Sequence, residues 1–129
     1  MNTLITYLKV FSAAVCGAAT FIWGGMDTVF VIFLCLMVID YVTGVLYAIK
    51  TKSLSSETGF SGLLKKIGML SIAALAHFIG EFTGMPEIRS VVIGFYIANE
   101  GISIVENAAR LGVKMPKKLV DILKQLNSD

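Results

Sequence analysis

Four long apolar segments, separated by short polar stretches, occupy most of the chain. They cover residues 4–23, 28–49, 67–85 and 88–109. Each is close to the length of about 20 residues that a helix needs to cross the hydrocarbon layer of a bilayer. Paired glycines at 24 and 25, a polar stretch after residue 49 and Pro86 separate the segments. The pattern predicts an all-α, polytopic membrane protein, a small bundle of four transmembrane helices.

Two of the segments allow a second interpretation. The fourth is the least hydrophobic, and a helix with its polar content also suits the membrane surface. The sequence therefore leaves open a bundle of three transmembrane helices with the fourth segment in the interface. The first segment has one cation, Lys9, and small residues near its end, as a cleaved signal peptide does. Because a second apolar run follows at once, we predict a span here.

Composition supports the membrane assignment and excludes several other classes of protein. Hydrophobic residues make up 56% of the 129 residues and charged residues 16%, whereas roughly 25% of residues are charged in an average soluble domain. This excludes a disordered chain and leaves no room for a separate soluble domain. The formal net charge of +2 is too small for a nucleic-acid-binding surface, which needs a dense basic face.

Residues suited to catalysis are scarce. The chain has one histidine, and it lacks a glycine-rich phosphate loop and a nucleophile elbow. Its two cysteines, Cys16 and Cys35, fall inside predicted spans without metal-ligand spacing. We therefore predict a non-enzymatic protein with no cofactor and no metal site.

Lysine and arginine residues are distributed unevenly between the spans. Lys9 lies near the amino end, and Arg89 alone lies beside a loop on the predicted outer side. The others lie in the central loop (Lys50, Lys52, Lys65, Lys66) and after the fourth span (Arg110, Lys114, Lys117, Lys118, Lys124). Because short basic loops stay in the cytoplasm, we predict a multi-pass membrane protein with both termini cytoplasmic.

The end of the chain differs from the spans. We divide the sequence into a transmembrane domain, residues 1–112, and a basic tail, residues 113–129. After Pro116, leucine and isoleucine recur at helical spacing opposite lysines. This pattern predicts a short amphipathic helix on the cytoplasmic side. Its basic face suits the anionic inner leaflet, although a solvated tail without a partner fits the same pattern.

One face of the predicted fourth span is polar. At 100° per residue, its polar side chains fall within an arc of about 120°. They are Asn99, Glu100, Ser103, Glu106, Asn107 and Arg110. Such a stripe either lines an aqueous path or packs against a polar partner inside the protein. In a helix lying at the membrane surface, the same stripe would simply be exposed, with Glu106 and Arg110 as an i, i+4 pair.

Other ionisable side chains lie within the second and third spans. Asp40 is near mid-depth, and a bare carboxylate there is costly, so it needs a partner. His77 and Glu81 are one turn apart, and Lys66 lies on the same side of its helix three turns earlier. We expect these groups to pair across helices or line a polar interior. Buried hydrogen bonds that set helix register explain them equally well, particularly for His77.

Small residues recur on one side of the first span. They are Ser12, Cys16, Thr20 and Gly24, with Ala13 and Gly17 beside them. Small residues at this spacing let two helices approach closely in lipid. The pattern is typical of self-association, but packing within one chain explains it equally well.

Several stretches together resemble a known family. They are residues 40–44 (DYVTG), 54–66 (LSSETGFSGLLKK), 74–77 (ALAH), 95–101 (FYIANEG), 106–112 (ENAARLG) and 116–119 (PKKL). In order and spacing they resemble the toxin-secretion and phage-lysis holins of bacteria and their phages. The resemblance covers about residues 38–126, and we find no family motif in the first 35 residues.

The resemblance implies a function. Such proteins accumulate in the host cytoplasmic membrane, form homo-oligomers and open timed holes through which an endolysin passes, and clostridial members are associated with toxin release. The family is commonly described with three spans. Two other functions fit the residues. One is a small proton-coupled transporter using Asp40, His77, Glu81 and Glu100 as a relay, and the other is a non-lytic antiholin that assembles with a holin.

Overall fold

The computed structural model describes residues 1–128, which form five helices and no strand. The helices are α1 (Asn2–Trp23), α2 (Thr28–Lys50), α3 (Ser56–Thr83), α4 (Glu87–Arg110) and α5 (Lys117–Ser128). The first four are each long and apolar enough to cross a membrane. This confirms the predicted fold class, an all-α polytopic bundle with a short C-terminal helix. Since the fourth segment also meets the length and hydropathy of a span, four spans are favoured over three.

The third helix begins earlier than the hydropathy pattern predicts. The Ser55 side chain caps it by accepting a hydrogen bond from the Thr58 N–H at 3.1 Å, and Glu57 lies in the first turn, where a carboxylate favours the helix dipole. Hydropathy detects only the part of a helix that lipid tolerates, so this polar start went unnoticed. The assignment of Lys65 and Lys66 to the central loop is therefore corrected, since both lie within α3.

The least hydrophobic of the long helices lies at the centre. α4 packs against α2, α3 and α5, and this position buries its polar residues Arg89, Glu100 and Asn107, which would be costly in lipid. α1 lies at the edge, with no buried residue and its main contacts on α3. At its end, the Trp23 indole N–H donates to the Leu70 carbonyl at 2.9 Å.

An apolar core fills the half of the bundle that contains the α1–α2 and α3–α4 turns. It consists of Phe30, Phe33 and Met37 from α2, Met69 and Ala73 from α3, and Ile93 from α4. The Phe33 ring also stacks on Tyr96 with centroids 5.8 Å apart. Close packing of this kind holds helices together in lipid, where the hydrophobic effect between them is absent. The other half of the bundle is packed differently, around polar groups.

The C-terminal helix docks on the bundle. Leu123 of α5 packs so closely on Gly101 of α4 that a Cβ at position 101 would lie 2.8 Å from the leucine Cδ2. Leu123 is therefore used inside the molecule, whereas the rest of the apolar face of α5 is exposed (Leu119, Ile122 and Leu126). Lys117, Lys118 and Lys124 are exposed as well. Binding of the basic face to an anionic leaflet stays a prediction.

Candidate functional site

Three helices contribute to a hydrogen-bonded group near the middle of the bundle, which we call the polar cluster (Asp40, Thr43, Lys66, Glu100 and Asn107). The Lys66 ammonium donates to the Asp40 carboxylate and, at 2.6 Å, to Glu100 Oε2. The Asn107 amide donates to Asp40 Oδ1 at 3.1 Å and to Thr43 Oγ1 at 3.0 Å. The cluster thereby ties α2, α3 and α4 together.

Helical spacing places these side chains on facing sides. Glu100 and Asn107 are two turns apart on α4, and Asp40 and Thr43 are one turn apart on α2, so each pair lies on one face. Asp40 lies ten residues before Lys50, the end of α2, which corresponds to about 15 Å along the helix. Because a hydrocarbon layer is about 30 Å thick, the cluster lies near mid-membrane.

The charged members of the cluster are shielded from the surroundings. The Glu100 side chain is 2% exposed, and those of Asp40 and Lys66 are each 13% exposed. Taking a charge out of water costs several kcal/mol, and removing one partner leaves that cost uncompensated. The mutual bonds therefore explain how ionisable groups are tolerated at this depth.

The residues of the polar stripe of α4 differ in how deeply they are buried. Glu100 and Asn107 are buried in the polar cluster, whereas Asn99 and Ser103 are half-buried. Glu106 and Arg110 are exposed, and the Arg110 guanidinium lies 5.5 Å from the centroid of the Tyr47 ring. In a single chain the buried part of the stripe meets a polar partner, and its role in lining a hole stays a prediction.

The residues predicted on α3 have separate environments. Lys66 pairs across helices, but with Asp40 and Glu100 and not with the groups further along α3. His77 is half-buried beside Gly24 and Phe78. Glu81 is exposed. The structure thus does not bring His77 and Glu81 to the polar cluster.

The small residues of α1 mostly face outward. Ser12, Cys16, Thr20, Ala13 and Gly17 are all exposed. The Ser12 and Thr20 hydroxyls donate to carbonyls one turn earlier in the same helix. Packing within one chain therefore does not use this side of α1, and self-association through it stays a prediction.

Gly24 differs from the other members of that set, because it caps the end of α1. Its φ is 88°, in the left-handed region that favours glycine. A Cβ there would lie 2.8 Å from both Arg89 Nε and His77 Nδ1. The absence of a side chain at position 24 thus makes room for two side chains of neighbouring helices.

A second polar group lies at the end of the bundle that contains the α1–α2 and α3–α4 turns. The sequence pattern did not reveal it. Arg89 of α4 is buried and donates to both Asp27 carboxylate oxygens, at 2.8 and 2.9 Å. It also donates to the Trp23 and Gly25 carbonyls. Asp27 in turn caps α2 by accepting from the Phe30 N–H at 3.1 Å. The sequence did contain a signal for this pair, because Asp27 and Arg89 are the only aspartate and the only arginine beside the two turns at this end.

This arrangement predicts a dependence of stability on pH. Hydrogen bonding to Arg89 holds the pKa of the Asp27 carboxyl below its ordinary value of 3.8. A carboxyl with a lowered pKa stabilises the fold above its ordinary pKa, and the contribution is lost as the pH falls through the lowered value. The free energy of unfolding should therefore fall less in Asp27→Asn than in the wild type as the pH is lowered from neutral to about pH 2.

The measurement is the free energy of unfolding in micelles as a function of pH. Glu87→Gln serves as the matched control, because Glu87 is an exposed carboxylate at the same end of the bundle. An Asp27→Asn variant with the same acid dependence as the wild type would contradict the assignment.

Comparisons with known proteins point to one family. The sequence model of the bacteriophage holin family matches residues 17–128, so the match begins earlier than the motifs alone indicate. An uncharacterized 14.9 kDa protein of Clostridium perfringens is 38% identical, over 99% of this chain and 98% of its own length. A protein of Bacillus phage phi105, named a probable holin, is 37% identical over 74% of this chain and 72% of its own length.

Relatives also occur in bacterial genomes. The uncharacterized protein YtkC of Bacillus subtilis is 34% identical over 92% of this chain and 89% of its own length. No solved structure matches the chain. The family match points to a non-enzymatic, multi-pass cell membrane protein, as the four apolar helices also indicate. The chain belongs to the bacteriophage holin family.

Proposed function

We propose that this protein is a holin, which oligomerises in the bacterial cytoplasmic membrane and opens holes that release an endolysin or toxin. The observation that carries the proposal is family membership over residues 17–128, together with a phage relative named a probable holin. The four apolar helices and the polar cluster buried among them provide the material for a membrane lesion.

The internal pairing suggests how a harmless resting state is maintained. In the single chain, Glu100 and Asn107 are occupied by partners on α2 and α3. A hole requires these groups to exchange those partners for water and for neighbouring copies, so opening is a repacking of α4. Moving one charge through the membrane potential is worth about 2.3 kcal/mol per 100 mV, and a change of potential is therefore able to shift this equilibrium.

Lysis of cells tests the proposal. Inducible expression together with an endolysin that lacks its own export signal should give an abrupt fall in culture turbidity, and the endolysin alone should not. A proton-coupled transporter would retain the folded endolysin inside the cell. An antiholin would allow growth to continue. Continued growth or retained endolysin at high expression would therefore contradict the proposal.

A variant connects the lesion to the polar cluster. Glu100→Leu combined with Asn107→Leu should shift the time of lysis and change the size of released proteins, because it removes the polar groups of α4 that face α2 and α3. Val91→Leu is the matched control, since Val91 is 71% exposed on the same helix and should leave timing unchanged. Unchanged timing and hole size in the double variant would show that these side chains do not line the hole.

A further inference from the structure

A cavity of about 260 Å³ lies beside the polar cluster. Its walls come from the second half of α2, the first half of α3 and the face of α4 that carries Ser103 and Asn107. At one end it reaches Leu54 and Thr58, which are exposed near the α2–α3 loop. At the other end it reaches Asp40 and Lys66. The cavity thus extends from the end of the bundle to its buried charges.

Glycines provide the space between α2 and α3. Tyr41 of α2 lies against α3, where a Cβ at Gly59 would be 3.3 Å from its hydroxyl and a Cβ at Gly62 would be 3.6 Å from its ring. The Tyr41 hydroxyl donates to the Gly59 carbonyl at 3.5 Å. Gly44 contributes a third position without a side chain to the same cavity. Larger residues at these positions would fill the space.

The floor of the cavity is polar and suits water, whereas Val45, Ala48 and Leu54 make parts of its walls apolar. A water molecule occupies about 30 Å³ in the liquid and needs two to four polar partners to be held in a protein. The cavity has room for several molecules, and Asp40, Lys66, Ser103 and Asn107 supply charged and polar atoms on its floor. Cavities that are lined only by apolar groups stay dry, whereas charged and polar atoms such as those on this floor hold water.

The charges at the floor do not balance. Asp40 on α2 and Glu100 on α4 are two carboxylates, and both bond the one ammonium of Lys66 on α3. Within residues 1–128, no other cation pairs with either carboxylate, and Lys65 at the cavity edge is exposed. With every group ionised the cluster would carry a charge of −1 near mid-membrane. One bound proton makes it neutral, and buried groups take up protons in preference to bearing an uncompensated charge.

We propose that the cavity is a water-filled vestibule open on the side of the α2–α3 loop, and that the cluster holds one proton, shared by Asp40 and Glu100 and supplied through this water. Both carboxyl groups contact the same nitrogen atom, so they lie next to each other and one proton serves both. The vestibule and its proton belong to the resting chain and not to the open hole, so both can be measured without a lysis assay.

Infrared spectroscopy of the protein in lipid vesicles tests the bound proton. At neutral pH, we expect the C=O stretching band of a protonated carboxylic acid, which a carboxylate lacks. The band should vanish in Glu100→Gln and also in Asp40→Asn, because either change leaves one carboxylate balanced by Lys66. Glu106→Gln, which alters an exposed carboxylate on the same helix, should retain it.

Both informative variants retain one carboxylate–lysine pair, and circular dichroism checks that they keep their helices. Absence of the band from the wild type, or its survival in both Glu100→Gln and Asp40→Asn, would overturn the bound proton.

Thiol labelling tests the vestibule. In a chain with Cys16 and Cys35 replaced by alanine, Ser103→Cys places a small thiol on the cavity wall. A membrane-impermeant methanethiosulfonate should label it from one side of oriented vesicles only, the side that also labels Ser56→Cys at the start of α3. Val91→Cys, on the exposed apolar side of α4, should stay unlabelled. Labelling of Ser103→Cys from neither side, both sides or the opposite side would overturn the vestibule.

Discussion

Replacing Lys66 with methionine should lower the free energy of unfolding by about 3–5 kcal/mol, the usual cost of removing one partner from a buried ion pair. The change leaves Asp40 and Glu100 side by side without a cation. Methionine keeps the length of the aliphatic stem, so the effect reports the charge and its hydrogen bonds. Reversible unfolding in mixed micelles, followed by circular dichroism, measures it.

The neighbouring lysine provides a matched control. Lys65 is exposed and forms none of these bonds, so Lys65→Met should stay within about 0.5 kcal/mol of the wild type. Adding Asp40→Asn and Glu100→Gln to Lys66→Met should restore much of the loss, because neutral amides need no counter-ion. Equal effects of the two lysine substitutions would show that the cluster contributes little to stability.

Gly24→Ala should produce the second large loss of stability. Alanine in the left-handed region costs about 1–2 kcal/mol. In addition, the new Cβ would lie 2.8 Å from Arg89 Nε and His77 Nδ1, and it would push Arg89 away from the Trp23 carbonyl and Asp27. Hydrogen bonds to charged groups contribute about 1.5–3 kcal/mol, so the total should exceed the conformational cost alone. The same unfolding assay measures it.

A second glycine separates the two contributions. Gly84 caps α3 with φ of 71°, and a Cβ there would meet nothing within 4 Å. Gly84→Ala therefore reports the backbone cost without a collision. If Gly24→Ala and Gly84→Ala destabilise the protein equally, Arg89 does not depend on the space that Gly24 leaves.

Hydropathy was sufficient to predict the four long helices, because in lipid each span must satisfy its backbone internally and present apolar side chains. The observed limits of α1, α2 and α4 differ from the predicted ones by at most a few residues. The start of α3 was missed for the same physical reason. Its first turns contain Ser56, Glu57 and Lys65, which a search for apolar length passes over.

The sequence was sufficient to predict which residues belong to the polar cluster, but not which of them bond to each other. Asp40 and Glu100 attracted attention because charges at membrane depth are costly. Which cation balances them depends on how helices distant in sequence come together, and periodicity within one helix does not encode that. The central position of α4 was likewise not evident from the sequence. It is the least hydrophobic long helix, and the central position buries its polar residues Glu100 and Asn107. Arg89 was missed because a basic residue near a helix end was counted only as a topology signal.

The bond between Arg89 and Asp27 bears on how the protein enters a bilayer. Arg89 is the only lysine or arginine beside the α1–α2 and α3–α4 turns. Once its charge is neutralised by Asp27, that end of the bundle presents no unmatched cation to be carried across the membrane potential. In the predicted orientation, with both termini cytoplasmic, we therefore expect the pair to lower the electrical work of carrying the Arg89 charge across the membrane.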